Sequence, residues 1–356
     1  MKNIFLCIAV LTCIPGMSAK KVPGGNDLSQ LKLFLSQPSQ EAGTNANALD
    51  ISDLDTPSTW QGVKIENGRI IEIHWSGKKL AGTLDLSGFT ALREIDISRN
   101  SLTSVTLSSA PSLLSVNASH NKISTFGMEN CSAVQTIDVG NNRLPSIELE
   151  NVPMLRSLNI SGNSLTYLDV SNSANLEYLN CQSNRIEELV ITNCTALRHL
   201  YASYNGLTEI EFAGLIKLQN ISINSNRLKK IYLQNLPQLA TLTCSDNHAQ
   251  QLAVNNCPAL NDLWAPYNDL NTVQITDCPN LAFVNLAWND LETLSLTNQN
   301  FLQRVNVSNN QLMTLDVSYN PNLTFLNVTD NTLLNDLRTE GDDNLYQIVG
   351  LTPYME

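Results

Sequence analysis

A column of asparagines limits what this chain can become. From Asn100, steps of 21 residues land on Asn121, Asn142, Asn163, Asn184, Asn205, Asn226, Asn247, Asn268, Asn289, Asn310 and Asn331 without a slip. An unbroken period of this size demands a solenoid, in which each repeat buries its apolar face only against its neighbours. The 356 residues would suffice for two ordinary domains, yet the repeat takes most of them as one elongated unit.

The Asn column fixes the phase of every other position. Eight before it stands Leu or Val, from Leu92 and Leu113 through to Leu323; five before stand Ile95, Val116, Ile137 and their successors. Three before come Ile97, Ala118, Cys181 or Cys244, and two after it Leu or Ile, except at Ala249. The result, L-x-x-L-x-L-x-x-N-x-L, resembles the leucine-rich repeat motif, here in twelve copies over about three quarters of the chain. The resemblance implies one parallel strand per repeat, around the positions six to three before each Asn. It also implies that the Asn amide lies inside the turn and bonds backbone of its own and adjacent repeats.

Each second half repeats the spacing, as in Val105 and Leu107 or Leu294 and Leu296, with many β-branched residues and Pro at 111, 153, 237, 258, 279 and 321. That pattern opposes a convex helix and favours an extended or short-strand back wall. Horseshoes curve because back helices need about 8–10 Å each while front strands need about 4.8 Å. The expected fold is therefore an α/β-class leucine-rich repeat solenoid, mostly β, with a parallel sheet on one face and a gently curved or nearly straight axis. The grammar is similar to that of secreted leucine-rich repeat proteins of Bacteroidetes-type bacteria, internalin-like in general architecture.

At the N-terminus, Lys2, the apolar run from Ile4 to Leu11, the breaker Pro15-Gly16 and small Ser18 and Ala19 read as a signal peptide over residues 1–19. That places the protein in a secreted, periplasmic or cell-surface location. A lipid anchor at Cys13 is the rival, weakened by Thr12 where a lipobox wants Gly, Ala or Ser. No other run is long enough to span a bilayer. Residues 20–70 form the expected N-terminal cap. Leu28, Leu31 and Leu35 lie at helical spacing behind an Asp27 cap, residues 37–55 read as loop, and Trp60-Gln61-Gly62-Val63 resembles the segment that seals such solenoids. The solenoid spans 71–338, one degenerate plus twelve 21-residue repeats. It is expected to stop where apolar slots fall on Asp336 and Arg338, with 339–356 folding over the end as a C-terminal cap or tail.

Six cysteines follow the signal segment. Cys181 and Cys244 are three repeats, roughly 14 Å, apart and cannot pair. Cys131, Cys194, Cys257 and Cys278 share a slot ten after a ladder Asn, filled elsewhere by Ala110, Val152, Leu215 and Leu236, which marks them as core. Cys257 and Cys278, in adjacent repeats, are near enough to bond, although parallel stacking gives poor disulfide geometry. No zinc pattern accompanies them, no cofactor is implied, and His74, His120, His199 and His248 sit in no catalytic motif. Glu187-Glu188 and Asp342-Asp343 read as solvated surface acids. Sequons such as Asn117, Asn159 and Asn306 are a by-product of the repeat. With a net charge of -12 and no run of Lys and Arg, nucleic acid is a poor partner. An enzyme is not indicated.

The exposed strand face carries the one asymmetry. Outward positions, six, four and one before each Asn, are mostly Asn, Ser, Thr or Asp, but two places differ. One presents Tyr178, His199, Tyr201 and Tyr204; the other presents Asp262, Trp264, Tyr267, Phe283 and Trp288, with Asn220, Ser222, Ser225, Thr241 and Thr243 as a polar floor between. Four repeats, roughly 19 Å, separate them. Aromatics also fit strands for packing reasons alone. Against that, a cluster of four exposes an apolar patch of binding size, and Tyr and Trp are common interface anchors. The expectation is a monomeric recognition module for a protein or peptide ligand, with a glycan ligand or an adhesive, structural surface role as alternatives.

Overall fold

The structure, a computed structural model, describes residues 26–41, 43–171 and 173–351, so the signal segment and Cys13 lie outside the described residues. A sheet of 15 strands forms the front face. From Glu94–Asp96 to Phe325–Asn327, each repeat contributes three residues to it, paired in parallel with a step of 21 or 22. Leu158, Leu179 and Leu200 stack in register, for example, and Leu200 pairs with Ile221. The middle residue of each strand points inward and is buried, while its neighbours point out, the period-2 consequence of extended backbone.

The back wall is extended chain, not helix, but it is not one sheet. It consists of four: Ala81–Asp85 to Glu148–Glu150, Tyr167–Asp169 with Glu188–Val190, Lys230–Gln234 to Thr272–Thr276, and Thr293–Ser295 to Asp336–Arg338. The longest interruption lies between Val190 and Lys230. Regular pairing there would set Glu209 opposite Glu188, a like-charge pair that disfavours a ladder.

A turn of the solenoid rounds two corners, and among the described residues each corner uses a residue in the left-handed region. On the front, that residue immediately precedes the ladder Asn: Arg99, His120, Asn141, Gly162, Ser183, Tyr204, Ser225, Asp246, Tyr267, Trp288, Asn309 and Asp330 all have φ between 51° and 64°. On the back it is mostly Asn, with Ser109, Gly214, Asp277 and Tyr319 in the same column. The position read from sequence as a third outward strand site is therefore a corner, not a strand.

Next to each front corner the ladder Asn meets the bonding needs of the turn. The Asn205 amide donates to Cys181 O at 3.0 Å, Ala202 O at 3.1 Å and Ser203 O at 3.3 Å, while its Oδ1 accepts from Ile186 N at 2.9 Å. Backbone groups turned inward at a bend would otherwise lack partners. The back corner has a donor of its own. Cys131 and Cys194 donate to carbonyls 24 residues earlier, Leu107 O at 3.0 Å and Val170 O at 3.1 Å, and Asn320 in the same slot donates to Leu296 O at 2.8 Å. All six described cysteines are free thiols; Cys257 and Cys278 donate to backbone carbonyls, Asn255 O at 3.6 Å and Thr276 O at 3.3 Å, rather than joining as a disulfide.

The N-terminal seal departs from expectation in two details. Asp27 opens the helix Asp27–Leu35, but Asn26 holds the cap position; the buried Asp27 carboxylate instead takes Arg69 in a two-point pair at 2.8 and 3.0 Å and Ile70 N at 3.3 Å. The segment read as loop contains a short helix, Asn45–Ala48, closed by a Thr44 and Asn47 capping box. Trp75 is fully buried and stacks on Phe34 at 5.9 Å, and Trp60 is buried beside them. Gly62 is required there, since at φ 73° a Cβ would run into the His74 carbonyl and the Trp75 ring.

The far end also differs. The sheet does not stop at residue 338: Gln347–Val349 pairs in parallel with Phe325–Asn327 as a further front strand, so this segment extends the stack rather than folding over it. Asp342, read as a surface acid, is only 7% exposed and occupies the back-corner slot of Asn320, one residue late. Its Oδ1 accepts from Asn320 N at 2.6 Å, and its Oδ2 has no protein hydrogen-bond partner.

Candidate functional site

The front strands present three polar or aromatic neighbourhoods along one face. In the first, Tyr178 and His199 pair directly across adjacent strands with ring centroids 6.4 Å apart, and Tyr201 lies diagonally at 5.5 Å from Tyr178, tilted at 48°. These three are half-buried against one another, and burial pushes the Tyr178 phenol up from its ordinary value. Tyr204 stands apart on the corner, 62% exposed.

The polar floor beyond is bonded within itself. The Asn224 amide donates to Ser222 Oγ at 3.1 Å and Thr243 Oγ1 at 3.0 Å, its Oδ1 accepts from Ser245 N, and the Ser203 and Ser222 hydroxyls meet at 2.9 Å. The Asn220 amide lies 2.9 Å from His199 Nδ1. Asn224 is the hub of this network and was not singled out from sequence, because most repeats carry a polar residue in that column.

The third neighbourhood resolves into two features. A groove of about 420 Å³ crosses four adjacent front strands, with Asp262, Trp264, Phe283, Asn285, Arg304, Asn306 and Phe325 among its walls. Burial raises the Asp262 carboxyl above its ordinary value. Arg304 lies with its guanidinium carbon 5.1 Å from the Phe325 ring centroid, a cation–π contact. Arg304 and Phe325 escaped the sequence reading although they occupy the same column, six before the Asn, as Asp262 and Phe283. Tyr267 and Trp288 do not line this groove. They stand on adjacent corners, stacked at 5.6 Å with planes 16° apart, 56% and 51% exposed.

Among the described residues no group of three or more His, Cys, Asp or Glu is arranged to hold a metal ion, and no helix is long and apolar enough to cross a membrane. No protein-family model matches the sequence, and no curated protein matches it. Solved structures do. The functional domain of InlJ from Listeria monocytogenes, described as including a cysteine ladder, is 27% identical with a TM-score of 0.50 over 61% of this chain, which spans 50% of that one. An internalin, InlF, from Listeria monocytogenes aligns over 93% of this chain and 96% of its own, at 19% identity and a TM-score of 0.55. The leucine-rich effector YopM from Yersinia pestis aligns over 91% and 86%, at 21% identity and a TM-score of 0.55. With these likenesses beside the stacked front strands and the Asn-bonded corners, the chain has the fold of a leucine-rich repeat solenoid of internalin-like architecture.

Proposed function

We propose that this chain is a secreted or surface-exposed, non-catalytic recognition protein that holds a protein or peptide partner against its front face. Trp264, Tyr267, Phe283 and Trp288 with Asp262 form the principal contact, and Tyr178, His199, Tyr201 and Tyr204 a second. One observation carries the reading: three exposed aromatics, Tyr204, Tyr267 and Trp288, occupy left-handed corners at φ 57° to 58°. Elsewhere that column is chiefly Asn, Asp, Gly and Ser, which adopt the conformation at less cost. A bulky residue there costs about 1–2 kcal/mol. The Tyr267–Trp288 stack returns only about 0.5–1.5 kcal/mol for two such corners, and more than half of each side chain stays in water. Folding alone gives these residues little return, which supports a role as partner anchors on the front face; Tyr319, on a back corner, stands outside this set.

The test is a capture screen with immobilised wild-type protein and a Trp264→Ala/Trp288→Asn variant, run against protein and glycan libraries. Asn holds the same corner at Asn141 and Asn309 and adopts the left-handed region at less cost than Trp, so the variant keeps its fold and gains stability at residue 288. Loss of the wild-type partner by the variant is expected, and full retention refutes the reading. The free amides and aromatic walls of the groove also suit a sugar, and a partner recovered only from the glycan library would establish that alternative instead.

A further inference from the structure

The groove differs from the polar floor in one respect that bears on its ligand: its polar groups are not spent on each other. Asn285 and Asn306 accept with Oδ1 from Ala287 N and Ser308 N, both at 3.1 Å, which leaves their amide hydrogens without a protein partner. Arg304 rests on Phe325 and, among the described residues, no carboxylate lies within ion-pair distance of it. It is also the single Lys or Arg among the described outward positions of the front strands from Glu94 to Asn327, in a protein of net charge -12. An unpaired guanidinium held on an apolar floor beside free amide donors is a receptor for a carboxylate. Asp262 stands in the same column two strands away, roughly 9–10 Å, and carries the opposite charge.

Resting on the recognition reading above, we infer that the groove binds an extended peptide segment bearing one acidic and one basic residue about three positions apart, with apolar residues between them. In the polyproline II form of extended chain three residues complete one turn and rise roughly 9–10 Å, which sets both charged side chains on one face at the distance from Asp262 to Arg304. The acid takes Arg304 and the amides of Asn285 and Asn306. The base takes Asp262, and the intervening apolar side chains lie on Trp264 and Phe283. A second acid near the Asp262 end is repelled, so the preference is for alternating rather than uniform charge.

The probe is a pair of blocked tetrapeptides, acetyl-Lys-Leu-Phe-Glu-amide and its neutral partner acetyl-Gln-Leu-Phe-Gln-amide, titrated to millimolar concentration by calorimetry and by Trp fluorescence. The charged probe should bind about fivefold more tightly than the neutral one, the sum of two partly exposed ion pairs. Arg304→Gln, at an exposed position, removes one of the two pairs and should reduce that preference to about twofold, as should high salt. Equal binding of the two probes, saturation by neither, or a preference undiminished by Arg304→Gln overturns the inference. So does displacement of the charged peptide by a uronate oligosaccharide at lower concentration. Loss of capture in the Trp264→Ala/Trp288→Asn variant with an unchanged Arg304→Gln variant would leave the recognition reading standing and remove only this assignment.

Discussion

Replacing Asp342 with Asn should strengthen the last turn of the solenoid. In the wild type Asp342 Oδ1 accepts from Asn320 N at 2.6 Å, but buried Oδ2 has no protein partner. The residue occupies a slot whose other polar tenants are donors: Asn320 gives its amide hydrogens to Leu296 O and Val317 O, and Cys131 gives its thiol hydrogen to Leu107 O. An ionised carboxylate offers no hydrogen there. Burial, and to a lesser extent the charges of Asp316, Glu340 and Asp343, push its carboxyl up from the ordinary value. An unsatisfied buried acceptor costs about 1–3 kcal/mol, so Asp342→Asn, which keeps the acceptor and adds the donor, should gain about 1–2 kcal/mol at neutral pH. Because a solenoid's stability is a sum over neighbours, the gain is local. Hydrogen exchange of peptides covering Asp336–Arg338 and Gln347–Val349, corrected for intrinsic rates, reads it as a rise in protection of about five- to thirtyfold. The pH dependence supplies the sign. The folded state holds its proton to higher pH than the unfolded chain, so wild-type protection is greatest below about pH 4 and falls as pH rises toward the elevated folded value. The Asn variant should be flat across that window. Equal protection of the two proteins at neutral pH would refute the argument.

Two further outcomes follow from the corners and the core. Asn205→Ala removes four hydrogen bonds at one bend and should cost about 1–3 kcal/mol in urea denaturation, an unchanged midpoint being the contrary result. Cys181 and Cys244, fully buried with thiols pushed up to about 12 by desolvation, should resist alkylation in native protein at mildly alkaline pH and react only on unfolding. Rapid native labelling would show that the core opens.

The repeat was legible because a fixed period turns one recognised column into the phase of all others. It carried the strand register and the inward cysteines, since burial on a pleated strand depends only on parity. It did not carry conformation at the corners: nothing in the identities of Tyr267 or Trp288 announces φ near 57°, and only the run of Asn, Asp, Gly and Ser in their column would have done so. A ruler of 21 also misses a step of 22. That single insertion hid both the last front strand and Asp342's place in the back-corner slot. Arg304 and Phe325 were passed over for a different reason, because a count of aromatics per repeat does not see one cation laid on one ring.

The segmented back wall has a mechanical consequence. The front sheet is continuous, whereas the back is cut into four pieces, with its longest gap between Val190 and Lys230. Flexing such a rod about its front face strains no cross-strand bond at a cut, so compliance concentrates there as it would at the joints of a segmented beam. The Tyr178 cluster reaches into that joint from one side, since His199 and Tyr201 fall between Val190 and Lys230, and the Trp264 groove lies on the other. The separation between the two sites is therefore the softest dimension of the molecule, and a partner that spans both can set it on binding.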